Sequence, residues 1–252
     1  MTTNSPATER DPAYGEILRL DELLEIACVR DEADRTLFFA THQACEIWFA
    51  VVLRHLESAR AALDSDEAAA AAAQLERLPH IMQVISQHFA VLATLTPESF
   101  DELRATLGTS SGFQSAQYRE IEFLCGAKDP RFLNITGLTD AERARMRRRL
   151  DEKSVSTAFA EYRDRVAAGT PHSDSSSTER IYQALSNIDG SVRAWRARHA
   201  ELAELFLGGA QGTAGSSGAA YLWRSTERTL FPEIFTRAER REGTVMTMNC
   251  PI

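Results

Sequence analysis

Apolar residues recur along most of this chain at intervals of three and four, the period of a helix with one buried face. Residues 18–29 place Leu18, Leu20, Leu23, Leu24 and Ala27 on such a face. Asp31 or Asp34 can cap a longer helix that runs to about residue 63. Its apolar positions are Leu37, Phe38, Ala44, Cys45, Trp48, Val52 and Leu56. Residues 66–95 continue the pattern as one stretch, with alanines supplying helix propensity. Thr96-Pro97 is a start signal, an N-cap followed by proline at the first helical position. The helix it begins would hold Phe100, Leu103, Arg104 and Leu107. Residues 108–112 break the pattern and 113–124 resume it. Further helices are predicted over 139–150, 155–168, 178–207 and from 219 to about 239, the last restarted or kinked at Pro232. No alternating strand pattern of useful length occurs, and no repeat. The expectation is an all-α protein with a single helical domain over residues 14–240, flanked by flexible tails at 1–13 and 241–252. Residues 169–177 read as a flexible loop and 208–218 as a glycine- and serine-rich one.

A chain of 252 residues can enclose a sizeable core. Its 44% hydrophobic and 25% charged residues argue against global disorder. Thirty-six acidic residues against 28 basic ones give a net charge of −8, which disfavours a dedicated nucleic-acid binder. No window holds the roughly 20 uninterrupted apolar residues of a membrane span. Residues 1–14 carry no hydrophobic signal region, so a cytosolic location is expected. The cysteines, Cys28, Cys45, Cys125 and Cys250, form no CxxC pair and read as free thiols. Arg143, Arg145, Arg147, Arg148 and Arg149 read as a solvated face.

Several residues could carry chemistry. His42 follows Phe38 by one turn on the most apolar helix, and is either a core histidine satisfied by its neighbours or a hydrogen-bonding group in an apolar cavity. His199, after Trp195-Arg196-Ala197-Arg198, has no second histidine at metal-binding spacing, yet a lone axial histidine suffices for haem. Arg104 is either a surface ion-pair partner or a bidentate clamp for a carboxylate. In the hydroxyl-rich turn 109–115, Ser110 or Ser111 suits an N-cap. The 208–218 stretch lacks the ending of a phosphate loop and follows no strand, which leaves a linker or a substrate lid.

Taken in order, these segments resemble the tryptophan 2,3-dioxygenase superfamily of haem enzymes. The resemblance is carried by YGEILRLD at 14–21, and by LFFATHQ at 37–43 with Glu46-Ile47-Trp48 after it. It continues in Leu95-Thr96-Pro97, Phe100, Arg104, SSGFQS at 110–115 and Gln117-Tyr118-Arg119. WRARH at 195–199, GTAGSSG at 212–218, Tyr221-Leu222 and Phe231-Pro232-Glu233 complete it. The resemblance implies a haem b held by His199 as axial iron ligand, with dioxygen as co-substrate. It makes His42 the distal residue facing the indole N–H, and Arg104 the carboxylate clamp. It assigns Thr213 to the ammonium and carboxylate, and Ser111 to support of His42 or the carboxylate. Phe38 and Phe100 would wall the indole. Tyr14 would reach into the site of a neighbouring subunit, since the family is homotetrameric.

The chain departs from the family pattern at Ile17, Phe89 and Ala214, and is shortened between about Tyr162 and Trp195, which resembles a compact bacterial branch. The implied reaction is oxygen insertion at the indole C2–C3 bond of L-tryptophan or a substituted tryptophan, giving an N-formylkynurenine. The alternative keeps the site but inserts one oxygen into an analogue such as β-methyltryptophan, giving a 2-oxindole as in the maremycin-type branch. A non-catalytic haem sensor is a third reading, which the carboxylate clamp disfavours.

Overall fold

A computed structural model describes residues 11–27, 32–169, 175–208 and 217–235. The described residues contain eleven α-helices, two 3₁₀ turns and no strand, the expected all-α class. In order the helices are α1 (Tyr14–Leu18), α2 (Leu20–Ala27), α3 (Ala33–Asp64), α4 (Ala68–Leu75), α5 (Leu78–Leu92) and α6 (Pro97–Leu107). They continue as α7 (Ala116–Cys125), α8 (Asp140–Asp151), α9 (Val155–Ala167), α10 (Ser175–Leu207) and α11 (Ala219–Thr226). The two long helices organise the rest: α3 packs on α4, α5, α7 and α9, and α10 packs on α4, α5 and α11. By length and composition α3 could span a membrane. Here Phe49, Val52, Leu53, Leu56 and Leu63 instead seat it in the main core, with Leu75, Ile85, Phe159, Tyr162, Ile181 and Leu185.

Local chemistry explains where elements start. Thr96 Oγ1 accepts the Ser99 N–H at 3.1 Å with Pro97 behind it, so α6 begins where expected. Ser115 caps α7, and Thr139 with Glu142 forms a reciprocal capping box on α8. Gly137, at φ +92°, lies against Gln114, where an added Cβ would come within 2.4 Å of Nε2. Gln114 thereby donates to the Thr136 carbonyl at 2.7 Å, which pins the turn at Ser111 to the 136 loop.

Several expected elements are corrected. The helix over 18–29 is broken at Arg19, which adopts a left-handed conformation (φ 52°) and separates α1 from α2. Helix α3 takes Glu32 as N-cap without a side-chain bond; Asp34 lies in its first turn, and Asp31 lies outside the described residues. The stretch 66–95 divides into α4 and α5, because Pro79 has no N–H to continue the α4 ladder. The segment 113–124 begins as a 3₁₀ turn (Gly112–Gln114), and Ser115 then starts α7. The loop at 169–177 is shorter than expected, since α10 starts at Ser175. The last helix ends at Thr226 rather than near 239. Arg196 captures the Ser225 and Arg228 carbonyls at 3.1 and 2.6 Å, and Asp189 accepts from Thr229 and the Leu230 N–H, both at 2.7 Å. The arginine run is not uniformly solvated. Arg145 bonds Glu120 at 3.0 Å, Arg149 reaches Glu57 and Glu152, and Arg143 donates to the Leu133 carbonyl, whereas Arg147 and Arg148 are exposed. Cys45 and Cys125 are free, as expected; Cys28 and Cys250 lie outside the described residues.

Candidate functional site

One cavity of about 220 Å³ opens between α3, α5, α6, α10, α11 and the turn at 110–113. Helical spacing brings its wall together. Phe38 and His42 come from α3, Phe100, Arg104 and Leu107 from α6, and Trp195, His199, Leu202 and Phe206 from one stripe of α10. Phe38, Leu92, Leu95 and Leu103 form a small buried cluster beneath it. The wall is predominantly apolar with a few convergent polar groups, the make-up of a small-molecule site.

His42 meets the Phe38 carbonyl through Nδ1 at 2.7 Å. A carbonyl can only accept, so Nδ1 carries the proton and Nε2 keeps its lone pair. Crowding by protein lowers the His42 pKa through desolvation, against smaller raising effects from the Phe38 carbonyl and Glu46. The ring is nonetheless accessible, because it faces the open cavity and not solid core. His42 is thus a neutral acceptor, its ring 4.2 Å from that of Phe38 and tilted by 38° to it.

His199 stands in the wall beside Phe89 (5.1 Å, nearly parallel) and Trp195 (5.9 Å). Its ring nitrogens make no hydrogen bond among the described residues. Desolvation, with a smaller contribution from His42, lowers its pKa to about 4. A neutral imidazole with an uncommitted lone pair, in a wall of aromatic and aliphatic side chains, has the chemistry of an axial haem ligand. Two further observations fit a carboxylate-bearing planar group. Trp195 Nε1 and Arg119 Nε are buried donors without partners, and both residues line the cavity.

A buried ionic cluster closes the far end. Glu122 accepts from Arg196 at 2.7 Å and from Arg119 at 2.6 Å, and Arg196 donates to the Tyr118 hydroxyl at 2.7 Å. Burial opposes the charge on Arg196, but Tyr118 and Glu122 outweigh it and its pKa is raised. Desolvation pushes the Tyr118 phenol up to about 12, so it stays protonated. Arg119 also lies over the Phe132 ring at 4.1 Å.

The structure therefore assembles Phe38, His42, Phe100, Arg104, Ser111 and His199 around one space. Phe100 presents less free face than expected, because it stacks on Phe206 at 4.3 Å. Ser111 lines the cavity while its Oγ caps the 3₁₀ turn at the Phe113 N–H. Tyr14 does not reach the cavity of its own chain and is 74% exposed. Thr213 and Ala214 lie outside the described residues. Phe89, Tyr118 and Tyr221, noted in the sequence only as motif positions, and Glu122, Leu202, Phe206 and Arg228, not noted at all, also line the cavity. The spacing 195, 199, 202, 206 on α10 and 118, 119, 122 on α7 was the available signal.

A family model described as tryptophan 2,3-dioxygenase matches residues 2–171, ending before α10. The chain is 38% identical over 232 residues to a tryptophan 2,3-dioxygenase of Nocardioides sp., covering 83% of this chain and 87% of that one. It is 32% identical over 257 residues to the enzyme of that name from Saccharopolyspora erythraea, covering 90% and 92%. The corresponding protein of Kineococcus radiotolerans is 31% identical over 257 residues, covering 90% of each.

Proposed function

The chain belongs to the tryptophan 2,3-dioxygenase family, and from that premise we propose that it is a cytosolic haem-dependent oxygenase converting L-tryptophan and dioxygen to N-formylkynurenine. The observation that carries this reading is the meeting of His42, Arg104 and His199 in one apolar cavity. His199 would hold one haem b per chain, and the unpartnered buried donors of Trp195 and Arg119 are suited to its carboxylates. When bound, the haem supplies the iron at which dioxygen is activated.

The protein's own part is to bind, orient and exclude. Arg104 meets the substrate carboxylate with a charge-assisted contact. His42 Nε2 accepts the indole N–H, which points the C2–C3 edge in one direction. Phe38 and Phe100 wall the ring, and Leu92, Leu95 and Leu107 keep the space dry. Ser111 and Thr213 complete the polar end, Thr213 on the strength of the family resemblance alone. Tyr14 would act in a neighbouring chain of a homotetramer. In support, α1 and α2 bury no residue of their own and expose Ile17, Leu18, Leu23, Leu24 and Ile26.

The reaction is tested by mass spectrometry of the product formed from L-tryptophan under isotopic dioxygen. Two labelled atoms in a ring-opened product are expected. A single labelled atom in a 2-oxindole overturns the dioxygenase reading.

Two further outcomes follow from the site. Arg104→Leu should retain haem but bind L-tryptophan more weakly by about 2–5 kcal/mol, roughly 30-fold to several thousand-fold. Tryptamine, lacking the carboxylate, should be a poor substrate of the unaltered enzyme; turnover equal to that of tryptophan refutes the clamp. For His42, the depressed pKa sets the sign of the pH dependence. The neutral acceptor persists as pH falls below the ordinary histidine value of 6.5, so kcat/KM should hold through that point and decline only at lower pH. His42→Ala should lower turnover without abolishing it and should remove that acid limb. An acid limb centred above pH 6.5 that disappears in His42→Ala contradicts the assignment.

A further inference from the structure

A second, more open cavity of about 690 Å³ lies behind the first, and Phe113, Tyr221 and Arg228 line both. Phe113 and Tyr221 meet edge to face at 5.3 Å, so they form a thin aromatic partition with one surface in each space. On the outer side stands a cluster of charges. Asp129 takes both Nε and Nη2 of Arg131, at 3.0 and 2.9 Å, and Arg228 approaches the same carboxylate at 3.5 Å. Two guanidinium groups thus share one carboxylate, which leaves one excess positive charge. The Asp129 carboxyl is held below its usual range, first by the Arg131 hydrogen bond, and remains ionised. The rim is fixed, because Gln114 donates to the Thr136 carbonyl across the close approach at Gly137.

A face of aromatic rings beside two cations and an anion matches an aromatic amino-acid zwitterion. The ring can lie on Phe113 and Tyr221, the carboxylate can meet Arg228 or Arg131, and the ammonium can meet Asp129. We propose that this outer cavity is a second binding site for an aromatic amino acid, back to back with the first across the Phe113–Tyr221 partition. The choice of ligand rests on the function proposed above; the site itself rests on the cavity and its charges.

The test uses ferric holoenzyme, which does not turn over. Equilibrium dialysis counts L-tryptophan bound per chain, while the haem absorption spectrum reports on the inner cavity alone. About two molecules per chain are expected. Thr136 has an exposed side chain on the outer cavity, so Thr136→Trp fills that space without disturbing the core. That variant should bind about one molecule and keep the spectral response unchanged. Asp129→Asn keeps the turn cap but removes the ammonium partner. It should weaken the second site for L-tryptophan about tenfold relative to indole-3-propionate, which has no ammonium to lose a partner and whose carboxylate meets guanidinium groups freed from Asp129. One molecule per chain in the unaltered protein together with a full spectral response, or two retained in Thr136→Trp, overturns the proposal. A spectrum indifferent to tryptophan, with one molecule bound and then lost in Thr136→Trp, instead sinks the proposed reaction and upholds the outer site.

Discussion

Replacing His199 with alanine is expected to yield a folded helical protein that no longer retains haem. The reason is chemical: His199 is the histidine of α10 that lines the cavity, and its nitrogens are committed to no other partner among the described residues. Substitutions one shell away from a bound metal already cost about 10–100-fold in affinity, so removal of the ligand itself should cost at least about 100-fold. Haem content and the Soret band measure this directly. Circular dichroism should show the helices intact, since the lost ring borders the cavity, and its aromatic neighbours among the described residues, Phe89 and Trp195, remain. Added imidazole, which can occupy the space left by the side chain, should restore part of the haem binding. A variant with wild-type haem content and an unchanged ferric spectrum refutes the ligand assignment.

The second large effect is expected on stability. Glu122 is 2% exposed and is the carboxylate shared by Arg119 and Arg196. Glu122→Gln keeps the shape but leaves Arg119 without its carboxylate partner and Arg196 with only the more distant Asp189, and turns an amide donor toward one of them. Breaking a buried pair in this way costs about 3–5 kcal/mol, because the remaining charge stays desolvated. For a chain of this size that lowers Tm by about 6–20 °C. Arg196 also holds the Ser225 and Arg228 carbonyls, so the segment after α11 should lose protection against hydrogen exchange first. An unchanged melting temperature shows that the cluster does not carry this weight. The pair is not evidence that the charges stabilise the fold relative to an apolar core; it predicts only that removing one member is costly.

These two residues differ in how they could be found. His199 was legible, because WRARH is a local pattern and a lone histidine on an apolar stripe is a limited set of possibilities. The same holds for Phe38 with His42, one turn apart, and for Phe100 with Arg104 on a helix whose start is written in Thr96-Pro97. Glu122 was not legible. Among ordinary surface-type residues, nothing in Arg119-Glu120-Ile121-Glu122 says that both acids are buried, one against α10 and the other against α8. The arginine run misled for the same reason, since a helix with five arginines looks solvated until the carboxylates of α3 and α7 are placed beside it.

What the sequence by itself determined is what local physics controls. Apolar residues at intervals of three and four demand helices, Thr96, Ser115 and Thr139 start them, and the ordered motifs identify the family and single out residues that the fold then gathers around one cavity. What only the tertiary structure decided is what depends on groups distant along the chain. The tautomer of His42 is itself local, fixed by a carbonyl one turn away, but its lowered pKa comes from the burial that α5, α6 and α10 create around it. The end of α11 is set by Arg196 and Asp189 taking up its following backbone, and the partition between two cavities exists only because Phe113 and Tyr221, 108 positions apart (221 − 113), meet edge to face. Periodicity records which face of a helix must leave water. It does not record what that face will meet, because burial energy is proportional to area and indifferent to partner, whereas hydrogen bonds and ion pairs depend on a geometry that exists only once the helices have packed.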